Sequence, residues 1–197
     1  MIDEMGTSLR DENKERTRQL IVEAAVSAFT ELGYRSTSMS QIAGRAGVGR
    51  ATLYKHFANK GAVADEIARS LNPGMVRVIR TLPDRSLDDS GIKEWVSELI
   101  STLRSFGAVA GVVSEAIGHN RDLSTALLES MHETSGDLLK ELRLKHPAAA
   151  PIAQGGLAML LTATVQVAAT MFGPHSTNHD DRLTHDLAAI WVRALTR

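Results

Sequence analysis

The stretch from Ser40 to Lys60, SQIAGRAGVGRATLYKHFANK, concentrates side chains that bind anions. It holds four basic residues, a histidine and two aromatic residues, but no carboxylate. Acidic residues are absent from the whole of residues 32–64, which carry five Lys or Arg side chains. Such side chains bind phosphates, and arginine can also donate two hydrogen bonds to the edge of a guanine. One interpretation is therefore a contact surface for nucleic acid, and the other is a solvated surface that lacks acidic residues by chance.

The elements that must position these side chains are three successive helices. Apolar residues recur at helical spacing in residues 14–34, which predicts one amphipathic helix. Ser38 and Gln41 have the spacing of a capping box and open a short second helix. A third helix follows a glycine-containing turn and directs Leu53 and Phe57 inward. Two short helices joined in this way predict a helix-turn-helix, whose second helix fits the major groove of DNA.

The stretch STSMSQIAGRAGVGRATLYKHFANKGAV, residues 36–63, resembles the DNA-binding domain of the tetracycline-repressor-like (TetR) transcriptional regulators. The resemblance covers about residues 16–70. It is carried by Ile42, Ala43, Ala46, Gly47, Val48, Thr52, Leu53, Tyr54, His56, Phe57 and Lys60. Gly49 and Gly61 depart from the family pattern, which commonly has a capping serine or asparagine at the first position and an acidic residue at the second.

The resemblance assigns a set of residues to DNA contact. Arg50, Ala51 and Tyr54 fall where the recognition helix meets base edges, and part of Tyr54 can instead belong to the core. The other members fall at positions that contact phosphates or begin a helix: Ser38, Ser40, Thr52, Lys55, His56 and Lys60. Ser38 has the alternative role of a helix cap. The ammonium of Lys60 is expected to face a phosphate together with the start of the fourth helix.

The resemblance implies an all-α homodimer with two domains. We predict a flexible arm of mixed charge over residues 1–13, a helix-turn-helix domain over residues 14–72, and a helical effector-binding and dimerisation domain over residues 73–197. Residues 157–172 are apolar but too short and too rich in threonine for a membrane span, which favours a buried helix. This helix and an apolar seam on the last one occupy the place of the family's dimer interface. The seam consists of Leu183, Leu187, Ile190, Trp191 and Leu195.

An effector pocket inside each second domain is also implied by the resemblance. Such pockets are mostly apolar with a few polar groups that orient the ligand. Candidate lining residues come from the middle of successive apolar helices: Trp95, Leu99, Phe106, Val113, Met131, Met159 and Thr162. Taken one by one, each of them fits an ordinary core position better than a pocket position, because a stripe of Met and Leu at helical spacing needs no ligand to explain it. The predicted function is a repressor that a small, mostly hydrophobic effector releases from a palindromic operator.

Two alternatives remain open at this point. The regulator can answer to a protein partner instead of a small molecule, or the chain can be an oligomeric helical binding module without an operator. An enzyme is not predicted, because no nucleophile motif and no paired-carboxylate helix occurs. The G-x-G of GVGRAT lacks the third glycine of a dinucleotide loop and follows a helical segment.

Composition restricts the chemistry further. The chain has no cysteine, which excludes disulfides, thiolate zinc sites and cysteine nucleophiles. His175, His179 and His185 lie near two aspartates in a polar connection, where we predict a solvated loop and no metal site. No cofactor and no membrane partner are expected. The polar start of the chain is unlike a secretory signal, so a cytoplasmic location is expected.

Overall fold

The computed structural model describes residues 2–171 and 180–196 of the 197-residue chain. These residues form nine α-helices and one 3-10 turn, with no β-strand among them, so the predicted all-α class is confirmed. The helices are α1 (Ile2–Leu32), α2 (Met39–Arg45), α3 (Arg50–His56), α4 (Lys60–Ile79), α5 (Asp89–Ser105), α6 (Ala108–His119), α7 (Arg121–Lys145), α8 (Gln154–Met171) and α9 (Asp180–Thr196). The 3-10 turn, Leu82–Asp84, lies between α4 and α5.

The first helix is longer than the sequence analysis expects. α1 begins at Ile2, so residues 2–13, predicted to be a flexible arm, continue the helix. The segment contains no proline and mixes acidic with basic side chains, a composition that suits a solvent-facing helix. The side chains of residues 9–16 are all exposed.

The fourth helix belongs to two buried cores. Its residues 63–67 pack with α1, α2 and α3, whereas its residues 75–79 pack with α5, α7, α8 and α9. The helix begins at the cap Asn59, whose side-chain oxygen accepts a hydrogen bond from the backbone amide of Ala62 at 2.9 Å. The domain boundary predicted after residue 72 falls inside this continuous helix, beside Pro73. No loop therefore separates the first core from the second.

A pair of tryptophans organises the second core. Trp95 of α5 and Trp191 of α9 meet edge to face, with ring centroids 4.8 Å apart and ring planes at 74°. The indole N–H of Trp95 donates to the backbone carbonyl of Val78 at 3.0 Å, and that of Trp191 donates to the hydroxyl of Thr164 at 2.9 Å. The pair thus joins α4, α5, α8 and α9, and both buried N–H groups have partners.

The apolar seam predicted on α9 lies mostly inside its own subunit. Leu187, Trp191 and Leu195 are buried in the second core, whereas Ile190 is 52% exposed. This corrects the assignment of the whole seam to a dimer interface. Periodicity shows which side of a helix is apolar, but it does not show whether the same chain or a second copy covers that side.

The eighth helix has no charged residue and presents two different sides. Leu157, Leu161 and Ala168 are fully buried in the second core, whereas Met159 is 73% exposed on another side. Among the described residues no single helix is long and apolar enough to cross a membrane. α5 and α6 reach that length and composition only when taken together, and they are bent by 93° at the break between them.

The tryptophan pair generates a stability prediction. Trp191→Ala should lower the free energy of unfolding by about 3–5 kcal/mol, because it leaves a cavity and removes the ring contact with Trp95. Trp191→Phe should cost less, since it keeps an aromatic ring and loses the bond to Thr164. Urea unfolding followed by circular dichroism measures both. The control is Leu144→Ala, at a side chain that is 81% exposed, and a loss for Trp191→Ala no larger than for this control would contradict the assignment.

Candidate nucleic-acid interface and internal cavity

The second helix is fixed at its start by a reciprocal cap. The Ser38 hydroxyl accepts a hydrogen bond from the backbone amide of Gln41 at 3.3 Å, and the Gln41 side-chain oxygen accepts one from the backbone amide of Ser38 at 2.8 Å. Gly47 in the following turn has a φ of +66°, a conformation that glycine adopts without strain. Gly49 caps α3 through its backbone alone. The cap and the turn together set the angle at which α3 leaves α2.

The third helix has one buried side and one exposed side. Leu53 and Phe57 are buried against the first core, as predicted. The structure places Arg50, Ala51 and Lys55 on the exposed side, along with Tyr54, whose side chain is 54% exposed. The alternative role of Tyr54 as a core residue is therefore not seen. Of the remaining predicted contacts, Ser38 and Ser40 are exposed, and Thr52 and His56 are half-buried.

Two cations on this surface are available for an external anion. Within the described part of the chain, neither Arg50 nor Lys55 has an ion-pair partner. Arg45 differs, because its guanidinium binds the Glu31 carboxylate and donates to the Ser27 hydroxyl at 3.0 Å. The electrostatic attraction for phosphates is thus concentrated at α3 and is weaker at the end of α2.

Lys60 is directed toward the backbone of its own chain, whereas the sequence analysis expects it to face a phosphate. Its ammonium donates hydrogen bonds to the carbonyls of Tyr34, Arg35 and Thr37 at 2.6, 3.1 and 2.9 Å. It also lies 4.5 Å from the centre of the Tyr34 ring. These contacts use all three N–H bonds of the ammonium. Burial lowers the pKa of Lys60, and the nearby Glu115 carboxylate opposes this shift.

His56 lies at the end of α3 and is held uncharged. Its Nδ1 atom is buried and has no hydrogen-bond partner among the described residues. Burial lowers the pKa of His56 below its ordinary value, the positive charges of Arg18 and Lys14 lower it further, and Glu15 opposes them. At neutral pH the imidazole therefore lacks a full positive charge, and its capacity toward a phosphate is that of an N–H donor.

Arg18 holds the recognition helix against α1 and α4. Its guanidinium donates to both oxygens of Glu66, at 3.2 and 2.7 Å, and to the backbone carbonyl of His56 at 3.3 Å. It also lies 4.4 Å from the centre of the Phe57 ring. The bond to Arg18 lowers the pKa of Glu66. The sequence alone does not indicate this role of Arg18, because its partners are up to 48 residues away along the chain.

A cavity of about 140 Å³, partly open to solvent, lies between α4, α5, α6, α7 and α8. Phe106, Val113 and Met131 line it, and all three are among the residues predicted for an effector pocket. The other predicted residues lie elsewhere. Trp95 and Leu99 are in the closed core, Met159 is exposed, and the hydroxyl of Thr162 donates to the backbone of its own helix. Lining residues that the prediction missed include Met75, Leu103, Ala110, Ile117, Leu127 and Val165.

Polar groups occur at three places around this cavity, one of which is Ser130 of α7. The Gln166 side-chain nitrogen donates to the Ser114 hydroxyl at 2.7 Å, so α8 and α6 are bonded across the cavity wall. Asp65, Arg69 and Asn72 of α4 line another part, where Arg69 is ion-paired with Asp65. Hydrogen-bonding groups are therefore few, and most of the wall is apolar.

Metal ligands do not cluster in the part of the chain that the structure describes. No group of three or more histidine and carboxylate side chains among those residues is arranged to hold a metal ion. His175 and His179, considered in the sequence analysis, lie outside the described residues.

Residues 21–67 match the model of a family described as bacterial regulatory proteins of the tetR family. An uncharacterized HTH-type transcriptional regulator of Bacillus subtilis (strain 168), YhgD, is 27% identical over 130 residues. These are 65% of this chain and 66% of that protein, just under two thirds of its length. Several other curated relatives are matched over only 19% to 33% of their length.

Solved structures share the fold over most of the chain. FadR from Bacillus subtilis, solved in complex with stearoyl-CoA, has a TM-score of 0.68 at 19% identity and covers 89% of this chain and 98% of that one. A TetR family transcriptional regulator from Pseudomonas syringae pv. tomato has a TM-score of 0.64 at 24% identity and covers 90% and 96%. At these identities the likeness concerns the fold alone. Residues 21–67 thus carry the DNA-binding domain of the TetR family of transcriptional regulators, in a chain whose fold these solved structures share over most of its length.

Proposed function

We propose that this regulator is a repressor that binds a palindromic operator as a homodimer and leaves it when a small, mostly hydrophobic effector binds. The observation that carries the proposal is the two-sided character of α3. Its apolar side is fully buried, while Arg50, Tyr54 and Lys55 stand exposed without a carboxylate partner among the described residues. This arrangement suits a recognition helix in the major groove. A protein bound in this way at a promoter excludes RNA polymerase and so represses transcription.

The exposed side chains suit two kinds of DNA contact, one to base edges and one to phosphates. Arg50 at the start of α3 can donate two hydrogen bonds to a guanine, and the methyl group of Ala51 can contact a thymine. Lys55 lies further along the helix, where contact with a phosphate releases counterions whatever the sequence. Because Lys60 is engaged with backbone carbonyls, Lys55 is the better candidate for the phosphate contact.

Paired substitutions separate these two kinds of contact. A selection on random duplexes should first enrich a two-fold-symmetric site. Arg50→Ala should then cost about 1–3 kcal/mol on that site and much less on random DNA. Lys55→Ala should weaken binding to both and reduce the salt dependence by about one counterion for each subunit. Fluorescence anisotropy at several salt concentrations measures both effects, and an unchanged preference among sites in Arg50→Ala would refute its assignment to base readout.

The proposed dimer interface lies on the outer side of α8. Exposed residues without charge recur there every three or four positions: Gly156, Met159, Ala163, Val167 and Thr170. Ile190 of α9 adds a further exposed apolar side chain. Small and apolar residues in such a stripe allow two helices to approach closely, and a symmetric pair of them would cover both copies. A dimer also presents two recognition helices to a palindrome.

A charge placed in this stripe should separate the subunits. Met159→Glu combined with Val167→Glu should convert a dimer into a folded monomer, because each dimer would bury four uncompensated carboxylates. Light scattering at micromolar concentration gives the mass, and circular dichroism checks the fold. Leu144→Glu on α7 is the control, since it changes an equally exposed apolar side chain elsewhere. A wild-type monomer, or a double variant that remains dimeric, would contradict this interface.

The cavity, although partly open to solvent, restricts the kind of effector that fits inside it. A cavity of about 140 Å³ matches the volume that holds a single benzene-sized group in an apolar protein interior. Its apolar wall favours a hydrophobic ligand, and the Ser114–Gln166 pair offers one place for a hydroxyl or carbonyl group. A long acyl chain such as that of stearoyl-CoA would require the helices around the cavity to separate. The size therefore favours a compact effector.

Compact hydrophobic compounds test this proposal directly. Toluene and cyclohexanol are the first probes, and they should raise the melting temperature of the wild type. A compound that acts as an effector should also lower operator affinity about tenfold, which corresponds to a coupling free energy of about 1.4 kcal/mol. Val113→Trp should fill the cavity and abolish the thermal shift, whereas the control Leu144→Ala, at an exposed side chain of α7 outside the cavity, should not. If ligands stabilise the protein and leave operator affinity unchanged, a protein partner becomes the better explanation of regulation.

A further inference from the structure

The turn between α1 and α2 is held by a side chain of the second domain. Glu115 of α6 accepts hydrogen bonds from the backbone amides of Tyr34 and Arg35, at 2.9 and 3.3 Å. Both donors belong to the turn of residues 33–37, which begins at Gly33 with a φ of +80°. Hydrogen bonds to a carboxylate are stronger than those between neutral groups. One carboxylate therefore joins α6 to the segment that leads into the helix-turn-helix.

The same turn is also held by Lys60. Glu115 binds two of its amides, and the Lys60 ammonium binds three of its carbonyls. Inside the turn, the Thr37 hydroxyl donates to the carbonyl of Gly33 at 2.8 Å. Residue 37 is followed directly by Ser38, the cap of α2. A displacement of this turn must therefore displace the start of the helix-turn-helix.

A second contact at this junction comes from the corner between α6 and α7. Asn120 caps α7 by accepting from the amides of Asp122 and Leu123. Its side chain also lies beside that of Tyr34, where it opposes the rise that burial causes in the pKa of the phenol. It fits because position 61 has no side chain. A Cβ atom on Gly61 would lie 2.3 Å from the Asn120 side-chain nitrogen. The departure of Gly61 from the family pattern thus coincides with the place where the second domain approaches α4.

α6 has one side in the cavity and another against the first domain. Val113, Ser114 and Ile117 line the cavity, and Val112 and Ala116 are buried in the first core, against which Val113 and Ile117 also pack. Ser114 and Glu115 are neighbours in sequence, so the hydrogen bond to Gln166 in the cavity wall and the hydrogen bonds to the turn arise from adjacent residues of one helix. A ligand that displaces this part of α6 must move the Glu115 carboxylate with it.

We propose that Glu115 is the positioning residue that transmits the state of the cavity to the helix-turn-helix, through the amides of Tyr34 and Arg35. The inference rests on the proposed function, because it concerns the regulation of the same cavity. Displacement of α6 by a few tenths of an ångström lengthens the two bonds, and hydrogen bonds weaken steeply as they lengthen and bend. The turn and α2 then lose the alignment that places α3 on DNA.

Substitutions at Glu115 test this role against a purely structural one. Glu115→Ala should increase hydrogen exchange at amides 34 and 35 at least tenfold, and Glu115→Gln, which keeps an acceptor, should increase it less. With toluene as the cavity ligand, the change in operator affinity should fall from about tenfold to less than twofold in Glu115→Ala, while the toluene-induced thermal shift remains. Glu98→Ala is the matched control, since it removes a carboxylate that is ion-paired with Arg85 away from this junction.

A second experiment on the same coupling needs no effector. Val113→Trp, or the milder Ala110→Leu, fills the cavity and should alter exchange at amides 34 and 35 severalfold in an otherwise wild-type chain, while amides within α5 stay unchanged. If neither folded variant alters these amides, or if Glu115→Ala keeps the full response to toluene, the proposed role of Glu115 is overturned. If the amides respond but no compound releases the operator, Glu115 still couples the cavity to the turn and the effector proposal fails separately.

Discussion

The packing of α4 into two cores is the constraint on which the rest of the structure depends. Its first half is buried with the helix-turn-helix and its second half with the tryptophan pair, and the helix is continuous across the predicted boundary. A continuous helix hinges less readily than a loop, because its backbone hydrogen bonds resist bending everywhere except at Pro73, which has no N–H to donate. Any rearrangement in the cavity, which α4 also lines, therefore reaches the DNA-binding domain through packed elements and not through a linker.

The sequence predicts local structure well wherever neighbouring residues determine it. Ser38 and Gln41 form the capping box that their spacing indicates, and Leu53 and Phe57 are buried where periodicity places them. Lys60 could not be predicted in the same way. Its position at the start of a helix suits a phosphate contact, but the carbonyls that it binds lie 23 to 26 residues away, and only the folded chain brings them together.

For apolar residues too, the sequence predicts the local pattern but not the tertiary contacts, as the cavity and the α9 seam show. Periodicity identifies the apolar side of each helix, yet a Trp or Met on that side can pack in a closed core, line a cavity or meet another subunit. Trp95 and Trp191 take the first role, Phe106 takes the second, and Met159 is exposed on its own chain. What separates these outcomes is the way the helices cross. α5 and α6 bend apart at 93° after Phe106, and the cavity lies beside this bend.

Two kinds of contact join α6 to the first domain, and they differ in how strongly a small shift of α6 changes them. Val112 and Ala116 bury apolar surface, an attraction that is non-directional and tolerates small sliding of one helix over another. The bonds from Glu115 contribute less area but are directional, so a small shift changes them more than it changes the apolar contact. Apolar burial therefore supplies most of the adhesion between the domains, and the Glu115 carboxylate supplies their alignment. Glu115 binds amides and Lys60 binds carbonyls of the same turn, so both groups keep their contacts only when the turn holds its position.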